Sequence, residues 1–252
     1  MTQLAAFFAL IRMMLGAVIV QGPAPGTPPT LLYADSFNDI AIGAEDPDWC
    51  DHGTAFGAAP GSCTGTFAQV LEYPTQEHQR VYYLTPAVDF QEYRVSYTGA
   101  GASAWSGYEL RADVWASTSR SLGVGVQSST PDANGYYLLG SFNGQPWAIS
   151  EGVPGAVHCN DTAIFTSLVG RWYHTKIRTA VVPATSVTVD ACIWEEGYSE
   201  LAYGSGKNQA VGGCGSCIDT AGLHEAGTIL MWSMGFTGAA GRYIDNIQVN
   251  DL

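Results

Sequence analysis

From Thr30 to the C-terminus, apolar residues recur at every second position in short runs, with turn-forming residues between the runs. This alternation constrains the fold most, because successive side chains of a strand point to opposite faces and each run can bury only one. Twelve runs are legible: 31–37, 66–73, 80–84, 93–97, 108–115, 121–127, 135–141, 146–150, 172–179, 187–194, 228–236 and 243–249. Turn signals separate them, among them Pro131-Asp132-Ala133-Asn134-Gly135 and Asn143-Gly144. No stretch of helical period follows the first twenty residues. About twelve antiparallel strands can cover their apolar faces only by stacking as two sheets, so the expectation is an all-β, two-sheet antiparallel sandwich.

The N-terminus is different in kind. Residues 4–20 read LAAFFALIRMMLGAVIV, broken only by Arg12. As a helix they would span roughly 25 Å, short of the ~30 Å hydrocarbon core of a bilayer. The following QGPAPGTPPT (21–30) is a Pro/Gly linker. Two readings stand: a signal peptide or membrane anchor, or a retained apolar arm that docks on a partner protein. Either way the chain divides into a segment 1–29 and one β domain, 30–252.

Charge narrows the partners. Ten Lys and Arg face 23 Asp and Glu, a formal charge of −13, and Lys176 and Lys207 are the only lysines. Nucleic-acid affinity comes largely from cations that displace condensed counterions, so a nucleic-acid partner is excluded, as is docking on anionic lipid through a basic patch. A homo-oligomer is compatible with this composition.

Six cysteines, Cys50, Cys63, Cys159, Cys192, Cys214 and Cys217, suit disulfides in an oxidising, extracellular location. Sequence proximity pairs Cys50 with Cys63, then Cys159 with Cys192 and Cys214 with Cys217. The Cys214/Cys217 spacing also admits zinc, with His224 or His52 contributing, or a redox dithiol; GGCGSC, however, reads as a glycine loop rather than a helix N-terminus. The histidines His52, His78, His158, His174 and His224 are scattered, and His174 reads as an ordinary strand histidine.

The order LLYADSFND, YELRADVW, LGVGVQSSTPDANGYYLLGSFNG, GRWYHTKIR and RYIDNIQVND resembles the concanavalin A-like lectin/glucanase superfamily, and within it LamG-like jelly-roll domains. The resemblance covers roughly Thr30 to Leu252. It implies a jelly-roll sandwich of the kind found in bacterial secreted proteins and in structural proteins of tailed bacteriophages. Such domains serve mostly in binding or assembly. The resemblance thus implies a non-catalytic virion surface component, its arm docked on capsid or tail proteins, that also binds host glycans. The alternatives are a secreted bacterial carbohydrate-binding module and a polysaccharide hydrolase or lyase.

Laminarinase-like members carry catalytic carboxylates on one strand as E-x-D-x-E. The nearest stretch here places Glu109, Arg111, Asp113 and Trp115 on one strand face. Arg111 stands in the central acidic position, and a guanidinium there holds neighbouring carboxylates ionised, which a general acid cannot be. The row is therefore a candidate glycan-binding surface with Trp115 as a stacking platform, and no catalytic residue is assigned. The resemblance also implies a structural Ca²⁺ where the first and last strands meet, with Asp35, Asp39 and Asp245 as ligands and Asn246 nearby.

Overall fold

The computed structural model describes residues 29–52, 68–73, 78–84, 91–117, 121–129, 134–142, 144–152, 156–221, 223–235 and 241–252. The apolar segment 4–20, most of the linker, Cys63 and the turn at 131–133 lie outside the described residues.

Fifteen strands follow one another: β1 (Leu31–Asp35), β2 (Trp49–Asp51), β3 (Ala68–Glu72), β4 (Arg80–Leu84), β5 (Gln91–Tyr97), β6 (Tyr108–Ala116), β7 (Ser121–Ser129) and β8 (Asn134–Ser141). The remainder are β9 (Trp147–Glu151), β10 (Ala156–Phe165), β11 (Trp172–Val182), β12 (Ser186–Glu195), β13 (Gly212–Asp219), β14 (Thr228–Gly235) and β15 (Arg242–Asp251). One sheet has eight strands in the order β13-β12-β11-β6-β15-β4-β3, with β1 also paired to β15. The other has seven, in the order β10-β9-β8-β7-β14-β5-β2. The two stack as a jelly-roll sandwich.

Alternation builds the core. On β6 the residues Leu110, Ala112 and Val114 turn inward, as do Val187, Val189, Ala191 and Ile193 on β12 and Leu122, Val124 and Val126 on β7. Trp147 is fully buried, and its indole N–H donates to Ser167 Oγ at 2.9 Å, which removes the cost of burying an unpaired donor. The opening D-S-F-N segment also has a physical role. Asp35 Oδ1 accepts the backbone N–H of Phe37 at 2.7 Å, a turn in which Phe37 takes φ 54° and drops into the core, stacked on Tyr82.

All twelve expected runs are strands; β2, β10 and β13 are additional. The glycine-rich 212–217 stretch is a strand rather than a loop, paired with β12 along its length. Its glycines let β10 approach closely, since a Cβ on Gly213 would collide with the Ile164 carbonyl.

That strand corrects two of the expected disulfides. Residues three apart on a strand face opposite sides, so Cys214 and Cys217 cannot reach each other. Cys214 points outward to Cys192, its direct cross-strand partner, with the two Cα atoms 4.1 Å apart. Cys217 points inward and joins Cys159 of β10, which ties the two sheets together. With both sulfurs in disulfides, neither is a zinc ligand or a free redox thiol. Cys50 is also disulfide-bonded.

The outer faces of the two sheets differ. On the seven-stranded sheet Tyr137, Leu230 and Trp232 form an apolar cluster with Leu139. On the eight-stranded sheet the outer face is polar and aromatic.

Candidate functional site

The outward row of β6 is Glu109, Arg111, Asp113 and Trp115, and register sets its neighbours. Across β11 lie Arg178, Lys176, His174 and Trp172 in that order, and across β15 Asp113 faces Asp245 while Trp115 faces Tyr243. The row divides into two halves with different surroundings.

In the lower half, the segment 196–211 between β12 and β13 folds back over the sheet as a strap. Lys176 and Arg111, like charges directly opposite each other, are bridged by Glu200 of this strap. Glu200 meets Arg111 Nη1 at 2.9 Å and Lys176 Nζ at 2.6 Å. These hydrogen bonds, the Arg111 pair first, lower the Glu200 pKa to about 2. Tyr203 of the strap donates its hydroxyl to Glu109 Oε2 at 2.8 Å and receives Lys176 and Arg178 over its ring. Arg111 Nε donates to Glu109 Oε1 at 2.5 Å. Glu109 is only 8% exposed. Glu109 and Arg111 thus hold the strap, and they do not share a cleft with Asp113.

The upper half is open. Asp113, His174, Glu196, Gly197 and Asn246 line a pocket of about 510 Å³. Asp113 Oδ1 lies 2.5 Å from His174 Nδ1, and Asp113 Oδ2 accepts the Asn246 amide at 2.9 Å. Asn246 reaches this position through an irregularity in β15, where register shifts between Asp245 and Gln248 and Asn246 takes φ 49°. The hydrogen bond to Asp113 raises the His174 pKa against the opposing effect of burial.

Beside it, His78 lies between two carboxylates, with Nδ1 2.8 Å from Asp245 Oδ2 and Nε2 2.9 Å from Glu196 Oε1. Ionised carboxylates only accept, so the ring serves both by carrying both protons. Burial alone would lower its pKa, but the bonds to Asp245 and Glu196 outweigh that and raise it. Its ring stacks on Trp172.

An aromatic cluster adjoins the pocket. Trp115 stacks on Tyr243 with centroids 4.9 Å apart, and Tyr73 packs edge-on against Trp115, Trp172 and Tyr243. Trp115, Tyr73 and Tyr243 are half-buried, so part of each ring faces solvent. Two polar atoms of the cluster, Trp172 Nε1 and Asp245 Oδ1, are buried with no hydrogen-bond partner among the described residues.

His78 and Glu196 carried no signal in sequence, and Trp172, His174 and Tyr243 stood only in stretches that pointed to the fold; what unites them is strand register and the loop after β12.

The expected Ca²⁺ ligands do not converge. Asp35 spends one oxygen on Phe37 N–H and the other on the Tyr33 hydroxyl at 2.6 Å. Asp35 and Asp39 line a separate pocket of about 460 Å³ with Asp46 and Asp48, while Asp245 is bound to His78. Among the described residues no group of three or more His, Cys, Asp or Glu side chains is placed to hold a metal ion. Asp245 therefore stands apart from Asp35 and Asp39.

No protein-family model matches the chain, and no curated protein matches it in sequence. Solved structures do. The exoplasmic/lumenal domain of VIP36 in its Ca²⁺- and mannose-bound form aligns with TM-score 0.51 at 12% identity, covering 88% of this chain and 92% of that one. Carbohydrate-binding module CBM66 from Bacillus subtilis aligns with TM-score 0.45 at 11% identity over 81% of this chain and 96% of that one. The PL-14 alginate lyase from Aplysia kurodai aligns with TM-score 0.46 at 12% identity over 87% of this chain and 98% of that one. The protein thus shares its two-sheet jelly-roll sandwich fold with the VIP36 domain.

Proposed function

We propose that this protein is a non-catalytic sandwich that binds carbohydrate on the outer face of its eight-stranded sheet. The observation that carries this reading is the juxtaposition of half-exposed aromatic rings with an open pocket of oriented hydrogen-bonding groups. A sugar ring has an apolar C–H face that stacks on Trp115 and Tyr243, and hydroxyls that donate to Asp113 and Glu196 and accept from His174 and Asn246. The fold is shared with a VIP36 domain that has been solved with mannose bound, which supports the same reading.

The pairing of charges favours binding over hydrolysis. Glycoside hydrolysis needs one carboxyl that keeps its proton and a second carboxylate across the scissile bond. Here Asp113 faces His174 and Asn246, Glu196 faces His78, and Glu109 is covered by Tyr203. Each already has hydrogen-bond partners of its own, and Glu109 lies outside the pocket.

Disulfides Cys159–Cys217 and Cys192–Cys214, with Cys50 also bonded, suit an oxidising setting outside the cytoplasm. In this reading segment 1–29 carries the module, either as an arm docked on a phage particle or as the export signal of a secreted bacterial protein. Deletion of 1–29 then leaves a cooperatively melting domain that still binds glycan but no longer joins its particle. An array of immobilised oligosaccharides tests the central point: the reading expects retention by wild type and loss in Trp115→Ala. Retention unaffected by Trp115→Ala, or none at all, contradicts it.

A further inference from the structure

The charges around the pocket deepen this reading, on which the following inference rests. Two of the side chains that line the pocket are carboxylates, Asp113 and Glu196, and one, His174, can carry a positive charge. Acidic groups therefore outnumber basic ones in the lining. The cations that flank it are already engaged. Arg111 and Lys176 are bridged by Glu200, and Arg178 pairs with Asp190 at 3.0 Å. Farther off, Arg171 pairs with Glu195 and Lys207 with Asp161. Lys176 is only 3% exposed, beneath Tyr203 and Trp194.

We propose that this face takes neutral, hydroxyl-rich glycans and rejects those bearing carboxylate or sulfate. An anionic sugar entering the pocket meets Asp113 and Glu196, and no Lys or Arg side chain lines the pocket to offset them. Like charges brought this close repel more strongly at the effective dielectric of a protein surface than in bulk water. A neutral sugar meets the same carboxylates as hydrogen-bond acceptors, and charge-assisted hydrogen bonds are the stronger kind. The chain's net charge of −13 disfavours approach of a polyanion in the same sense.

Titration calorimetry of the full chain against matched oligosaccharide pairs tests this. Mannan against mannuronan fragments, and neutral against sulfated galactan fragments, differ chiefly in charge. The expected result is binding of a neutral member with its anionic counterpart at least about tenfold weaker. Glu196→Gln and Asp113→Asn, each shown folded by its circular dichroism, narrow that ratio by removing a repelling charge. Equal or tighter binding of the anionic member overturns the inference and leaves glycan binding standing. Binding of neither member of any pair overturns both.

Discussion

His78 lies flat on Trp172, ring centroids 3.7 Å apart and planes 14° from parallel. The relationship joins the segment before β4 to the start of β11 and seats a doubly hydrogen-bonded imidazole over an indole face. Aromatic faces attract cations, so the stack adds to the two carboxylates in favouring the protonated ring. His78→Gln keeps a polar side chain but loses both the charge and the stack. The expected outcome is a loss of about 2–3 kcal/mol of stability, read from urea midpoints, because Asp245 is left buried without its counter-charge.

Stability should fall as pH rises. His78 and His174 have raised pKa values in the folded state, so their contribution is complete below the unfolded histidine value of about 6.5 and is lost as pH passes their folded values. Asp46 acts in the same direction. Burial, with a hydrogen bond that its protonated carboxyl donates to Asp35, pushes its pKa up to about 7, so the folded chain holds a proton that the unfolded chain releases near pH 4. Glu200, lowered to about 2, works oppositely and contributes only above the ordinary glutamate range. Urea denaturation at about pH 5, 7 and 9 should give decreasing midpoints, with the decline smaller in His174→Gln.

Glu200 is the clasp of the strap. Replacing it with Gln removes the negative charge between Arg111 and Lys176. Because the Glu200 side chain is 44% exposed, the cost is moderated by solvent to about 1 kcal/mol. Hydrogen exchange across 197–211 should accelerate while β7 and β8 are unchanged.

Non-reducing peptide mapping should recover Cys159–Cys217 and Cys192–Cys214 as the linked pairs. The Cys159–Cys217 link closes 58 residues of sequence and joins opposite sheets. Its removal as the double serine variant should cost up to about 4 kcal/mol in the loop-entropy account.

The fold was legible because alternation is a local signal that survives in each strand with one buried face. The strands it missed lack that signal. β2 is three residues long and exists through its pairing with β5. β10 reads AVHCNDTAIF and carries two register irregularities against β9, which scramble the alternation. β13 is mostly glycine where it meets β10, so packing space rather than an apolar pattern defines it. The site was legible only as the β6 row. Asp113 and Trp115 stand in the open half, but their partners come from positions 78, 172, 174, 196, 243 and 246, which register and a strand irregularity bring together. The pairings expected for Cys159, Cys192, Cys214 and Cys217 failed for a related reason: proximity in sequence ignores which face of a strand a side chain occupies.

The central claim is that carbohydrate binds on the outer face of the eight-stranded sheet. Amide hydrogen exchange with and without a saturating neutral oligosaccharide locates the contact directly. The account predicts protection at 113–115, 172–174 and 243–246, with 122–126 and 136–139 of the opposite sheet unchanged. Protection confined to the seven-stranded sheet, or to the pocket around Asp35 and Asp39, would contradict it.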